Sequence, residues 1–214
     1  MIKHIAIRRS LLKLIKNDRY LLEHRVHERA QTHKLGEYLQ YYLPEWNVDC
    51  EYNKKLDAFK ELDFSNLVNA VKSAMQELNN TTDLRSYLNQ LNPEESGIAD
   101  ENGVMQYLLL KNPNAPDKRY IKKVMPDVIA HLRGTKKNKI VIEAKLDKPK
   151  KEDKWFDLIK LGLFTEKGGQ YNYKIGYFIT LPEEIPIDFD IHIDKCSQLN
   201  RVVPNHNVYE IVIK

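Results

Sequence analysis

Val124–Leu132 (VMPDVIAHL) and Lys139–Leu146 (KIVIEAKL), joined by Arg133–Asn138 (RGTKKN), read as two strands of a hairpin, and the rest of the chain is placed around them. Side chains alternate faces along a strand. On the second strand Ile140, Ile142, Ala144 and Leu146 share one apolar face, and Lys139, Val141, Glu143 and Lys145 share the other. On the first, Val124, Pro126, Val128, Ala130 and Leu132 form the apolar face, while Asp127 lies with Met125, Ile129 and His131. Directly opposed residues point the same way, so burying both apolar faces together requires paired residue numbers with an even sum. A sum of 270 leaves a four- or five-residue turn and sets Asp127 across from Glu143. Opposed Cβ atoms then lie about 4.5–5.5 Å apart. Two carboxylates that close repel unless a divalent cation sits between them. Lys145, two residues beyond Glu143 on the same face, neutralises them in part.

Downstream, a helix is expected over about Lys151–Glu166, with Trp155, Leu158, Ile159 and Leu163 on one face and Gly168-Gly169 ending it. Tyr173–Leu181 and Val208–Ile213 read as further strands. Upstream, residues 3–16 carry loosely helical apolar spacing. Asn17-Asp18 reads as the cap of one longer helix reaching about Tyr42, with Pro44 as its stop. Asn47–Asn53 alternates as a short strand. Residues 57–118 differ in kind: Phe64–Leu78 and Thr82–Leu91 have helical faces, and Asn112–Asp117 (NPNAPD) is a loop signal. That order predicts an α/β fold, a mixed β-sheet flanked by helices, as one domain over 1–214 with an acidic helical insertion at 57–118.

The chain has 214 residues, 42% of them hydrophobic, and a formal charge of +4. Its mean hydropathy of −0.57 suits a globular protein. No apolar run approaches the ~18 residues of a transmembrane helix. Arg8 and Arg9 interrupt the place where a signal peptide needs its apolar region. Cys50 and Cys196 alone make neither a disulfide framework nor a zinc site. A cytoplasmic location, with no membrane partner, is the expectation. The charge is uneven: Lys118–Lys160 holds 14 basic and 6 acidic residues, a net of +8, and Leu56–Asp117 holds 10 acidic and 4 basic, a net of −6. A basic block favours phosphate locally even where the whole-chain sum does not.

The opposed carboxylates point to a hard cation, Mg²⁺ or Mn²⁺, which takes oxygen ligands and retains water. The backbone carbonyl of Ala144, between the two acidic positions, is a third candidate ligand. Lys145 is placed to orient a water or to stabilise charge developing on a phosphate. Lys122, Lys123, Lys136, Lys137 and Lys154 flank the site and suit contacts to a nucleic-acid backbone, and Lys160 is a candidate phosphate contact. His131 shares the carboxylate face. His24, His27 and His33 do not make a zinc motif, because His27 and His33 are six residues apart and point about 240° apart around a helix.

Pro126-Asp127, fifteen intervening residues and Glu143-Ala144-Lys145 together resemble the signature of the PD-(D/E)xK nuclease superfamily, the restriction-endonuclease-like fold. A second Pro-Asp, Pro116-Asp117, and a second acid-x-Lys, Glu152-Asp153-Lys154, lack the alternating apolar context of a strand. The superfamily commonly places a Glu on the helix before the first core strand, and Glu28 in His27-Glu28-Arg29-Ala30 occupies that place. The resemblance covers roughly residues 20–55 and 120–181. It implies a Mg²⁺- or Mn²⁺-dependent nuclease or endonuclease, with DNA ahead of RNA as substrate. Asp127, Glu143, Lys145 and Glu28 would be catalytic, and Asp127, Glu143 and Glu28 would hold the metal. Phage defence is a common setting for small bacterial members. The alternative reading is a nuclease-like module that binds nucleic acid or protein without turnover. Separately, the acidic insertion is expected to act as a lid over the basic face, restraining activity until substrate arrives, or as a docking surface for a protein partner or a second copy.

Overall fold

The computed structural model describes residues 4–24, 26–52, 54–55, 58–63, 121–147, 149, 151–201, 203 and 205–214. Helices α1 (Ile5–Asn17), α2 (Arg19–Glu23) and α3 (Glu28–Tyr42) lead into strand β1 (Asn47–Cys50) and the short pieces β2 (Lys54–Lys55), β3 (Ala58–Phe59) and β4 (Glu61–Asp63). Then come β5 (Ile121–Lys123), β6 (Val128–His131), β7 (Asn138–Leu146), helix α4 (Lys151–Thr165), β8 (Ile175–Leu181), β9 (Ile191–Lys195), a 3-10 turn (Ser197–Arg201) and β10 (Val208–Ile213).

Six strands form one mixed sheet in the order β1-β6-β7-β8-β10-β9. β7, β8 and β10 are parallel, and β1, β6 and β9 run antiparallel to their neighbours. Parallel neighbours need a long crossover, which α4 supplies between β7 and β8. The crossover covers one face while α1 and α3 cover the other, so the central strands are apolar on both sides. Ile140, Ile142, Ala144, Tyr177 and Ile179 pack beneath Leu11 and Leu14 of α1 and Leu35 and Leu39 of α3. Ile129, Val141, Phe178 and Val208 pack against Trp155, Leu158, Ile159 and Phe164 of α4. Gly36 lets α3 close on the sheet: a Cβ there would meet Cys50 Sγ at 2.6 Å. The architecture is the mixed α/β sheet flanked by helices that the pattern predicts.

The hairpin register is the expected one, with Val128 paired to Ile142, Ile129 to Val141 and Ala130 to Ile140. A bulge then shifts the pairing to His131 with Asn138. The turn is closed by the Leu132 N–H donating to the Lys137 carbonyl at 2.9 Å. Gly134 occupies the left-handed region it needs, at φ 71°.

The first hairpin strand is shorter than expected, because Pro126 has no N–H to offer a ladder. The Val124 N–H donates instead to the Lys60 carbonyl at 3.0 Å. β5 pairs with β4, setting Ile121 beside Asp63. The helices expected at Phe64–Leu78 and Thr82–Leu91 lie outside the described residues, and the described margin at 58–63 is strand rather than helix.

The single helix expected from Asn17-Asp18 to Tyr42 is broken. Asp18 makes no side-chain cap and accepts a hydrogen bond from the Tyr38 hydroxyl. α2 ends at Glu23, and His27 caps α3 by accepting the Arg29 N–H at 3.2 Å. Val26 and the two histidines are weak helix formers. The buried amide of Gln31 holds the break, its Nε2 donating to the carbonyls of Leu21 and Val26, each at 3.0 Å. The consequence for the site is that Glu28 opens a helix instead of lying within one. No helix among the described residues is long and apolar enough to cross a membrane.

Candidate active site at the open end of the hairpin

The ladder ends at Val128 and Ile142, and its register continued outward would set Asp127 across from Glu143 and Pro126 across from Ala144. Pro126 supplies no donor to the Ala144 carbonyl. Asp127, one residue before β6, turns its carboxylate to the neighbouring strand, and the Ala144 N–H donates to Oδ2 at 2.7 Å. One carboxylate is thus locked by the backbone of the residue that separates the other acid from its lysine.

Glu143 is 2% exposed and faces α4. Lys160 Nζ lies 2.9 Å from its Oε1 and 2.8 Å from Asp157 Oδ1. Asp157 Oδ2 is 3.7 Å from Lys145 Nζ, which donates to Glu28 Oε1 at 3.1 Å. Glu28 reaches this point from the first turn of α3, and Asp157 and Lys160 from one face of α4. Among the described residues four carboxylates (Glu28, Asp127, Glu143 and Asp157) therefore share two ammonium groups (Lys145 and Lys160), a formal excess of two negative charges were all four ionised.

The environment responds to that excess. Burial holds the Asp127 carboxyl above the ordinary range, and the Ala144 N–H and the Lys145 charge only partly offset it. Burial raises Glu143 further, with Lys160 opposing and the charges of Asp157 and Asp127 adding to the rise. For both lysines burial acts in the opposite sense, and the surrounding acids outweigh it: Glu143 and Asp157 raise Lys160, and Asp157, Asp127 and Glu28 raise Lys145. Both amines stay charged at neutral pH.

Asp127, Glu143 and Lys145, predicted within one hairpin, and Glu28, far from them in sequence, come together in this network, with Ala144 bonded to Asp127. The lysines separate into three groups. Lys160 is 8% exposed and committed to Glu143 and Asp157. Lys154 is paired with Glu210 at 2.7 Å. Lys123, Lys136 and Lys137 are exposed, but Lys136 and Lys137 sit at the closed end of the hairpin. Lys137, six residues from Glu143, is roughly 20 Å away along the strand. The side chain of Lys122 lies outside the described residues.

Asp157 is the member the sequence reading missed. Its signal was an acid three residues before Lys160 on the buried face of a helix otherwise lined by Trp155, Leu158 and Ile159. His131 is not idle either: it is buried, and its Nε2 lies 2.8 Å from Asp49 Oδ2.

Among the described residues no group of three or more His, Cys, Asp or Glu is arranged to hold a metal as a set. The donors fit a hard divalent cation in another way, since Mg²⁺ commonly takes one or two carboxylates and keeps its waters. All the candidate donors are oxygens, acids outnumber ammonium groups among the described residues, and Glu143 Oε1 is buried with no aligned hydrogen bond. No family model matches the chain, and no curated protein or solved structure matches it either.

Proposed function

We propose that the protein is a Mg²⁺- or Mn²⁺-dependent nuclease of the restriction-endonuclease-like, PD-(D/E)xK type, hydrolysing phosphodiester bonds in DNA. The observation that carries the reading is the convergence of Asp127, held by the Ala144 N–H, with the buried Glu143 that feels its charge, and with Lys145 ion-paired to Glu28. Asp127, Glu143 and the Ala144 carbonyl would hold the cation, Glu28 directly or through water, and the cation would acidify a bound water and stabilise charge on the phosphate. Lys145, 26% exposed and charged at neutral pH, would orient the attacking water and face the phosphate as charge develops. Asp127 keeps its orientation through the Ala144 N–H, and Lys160 keeps Glu143 in place from below. The exposed Lys123, Lys136 and Lys137 hold the strand by its backbone. Cleavage of plasmid and single-stranded DNA should require magnesium, stop with EDTA and disappear in Asp127→Ala and Lys145→Ala; full activity in both variants would sink the assignment.

One observation favours a second reading, a binding module without turnover: Lys160 already neutralises Glu143. Calorimetry separates the two. Heat on adding Mg²⁺ to the wild type and none with Glu143→Ala supports the enzyme, and no heat with either supports the module.

A further inference from the structure

The closed end of the same hairpin carries a second polar cluster, of which the proposed chemistry uses only Lys136. A cavity of about 40 Å³ opens there, and Tyr52, Lys60, His131, Lys136, Tyr171 and Tyr173 are among its walls. By that measure a water takes roughly 10–15 Å³, so the space holds about three waters, the bulk of a compact tetrahedral oxyanion. No carboxylate lines it among the described residues. His131 follows Asp127 by four residues, about 13 Å along the strand, so this is a place separate from the carboxylate network.

Two side chains give the cavity its character. Lys60 is 2% exposed, its Nζ 3.0 Å from the Tyr52 carbonyl and 4.4 Å from the centre of the Tyr52 ring. Burial lowers its pKa to about 8, against the field of Asp49. Asp49 is itself held by His131 and by two bonds from Arg133. Tyr173 is 1% exposed, and its hydroxyl makes no hydrogen bond among the described residues. Tyr173 lines the cavity beside Tyr171 and Tyr52, and its hydroxyl is raised above its ordinary pKa, first by burial and then by Tyr171, Tyr52 and Asp49. A buried hydroxyl without a partner and a buried ammonium both gain from an acceptor that carries negative charge.

We propose that this cavity binds an oxyanion of the phosphate class, with Lys60 as the buried counter-charge, the Tyr173 hydroxyl as the neutral donor and Lys136 at the mouth. The site does not rest on the nuclease reading. A free phosphate and the terminal phosphate of a nucleic-acid strand present the same chemistry.

The test uses the full chain in EDTA. Inorganic phosphate is titrated into wild type, Tyr173→Phe, Lys136→Ser and Lys60→Met and followed by thermal shift and ³¹P line broadening. Saturable binding is expected in the wild type, weakened about tenfold or more by Tyr173→Phe. Lys136→Ser should lower affinity severalfold, and Lys60→Met should abolish binding. If Lys60→Met does not fold, the other two variants decide. No saturable binding in the wild type, or equal affinity in Tyr173→Phe and Lys136→Ser, overturns the proposal. A second arm compares one short single-stranded oligonucleotide with a 5′-phosphate or a 5′-hydroxyl. Tighter binding of the phosphorylated form that Tyr173→Phe removes identifies a strand end as the source; equal binding of the two, with inorganic phosphate still bound, identifies a free phosphate.

Discussion

At the open end of the β6–β7 hairpin four carboxylates meet two ammonium groups. At the closed end, among the described residues, Lys60, Arg133 and His131 surround the carboxylate of Asp49. The two ends belong to one antiparallel ladder, and Asp127 and His131 are only four residues apart. Their opposite sign comes from what packs on them. α3 and α4 deliver Glu28, Asp157 and Lys160 to one end, while β1 and the segment before β4 deliver Asp49 and Lys60 to the other. A strand sets where a side chain points; the elements laid against it set the charge it meets.

The largest test of this contrast lies at the open end. Asp127→Asn should cut magnesium-dependent cleavage at least about 100-fold. The same change should raise the Tm of the metal-free protein, because it relieves surplus negative charge. A variant that lost activity and stability together would mean that the acids of this end are structural.

Lys160→Met comes next. It leaves Glu143 and Asp157 buried without their shared cation and should cost about 3–5 kcal/mol in urea unfolding. Adding Glu143→Gln to that chain should recover part of the loss, since the uncompensated charge and not the missing volume causes it.

The two ends should also respond oppositely to pH. Asp127 and Glu143 titrate above their unfolded values, so their contribution is fully present below the ordinary carboxylate range and is lost as pH rises through the folded pKa values. At Asp49 burial pushes the pKa up, but the bonds from Arg133 and His131 outweigh it and hold it below the ordinary range. That contribution is present above the unfolded pKa and is lost as pH falls through the folded one. Urea midpoints of metal-free protein against pH should show both limbs. Magnesium should flatten only the alkaline one, and a midpoint indifferent to magnesium at neutral pH would break the contrast.

The smallest effect is expected from Asp49→Asn, about 1 kcal/mol, because Arg133 is largely exposed and water screens its share. The acid limb should flatten with it. A much larger loss would show that His131, its buried partner, carries most of the pair.

Much of the site was legible before any coordinates. Asp127, Glu143 and Lys145 lie within one hairpin whose apolar alternation admits one sensible pairing, so their adjacency follows from local pattern. Glu28 was placed by resemblance, and the broken helix that brings it to the hairpin was not foreseen. Asn17-Asp18 looked like a cap, yet the Asp18 carboxylate serves Tyr38 twenty residues on. β9 was not foreseen either: only Ile191 of its five residues is buried, and an edge strand with so little buried surface shows no clear alternation.

The sequence by itself determined the α/β class, the hairpin register and the face on which each acid stands. These depend on a two-residue period and on burying apolar side chains together, both of which are local. Only the tertiary structure decided that Asp157 and Lys160 close the carboxylate network, that Asp49 claims His131, and that Tyr173 lines a cavity. Each of those contacts joins segments far apart in the chain. No periodicity within one segment specifies which strand a helix covers or which charge it carries to the strand.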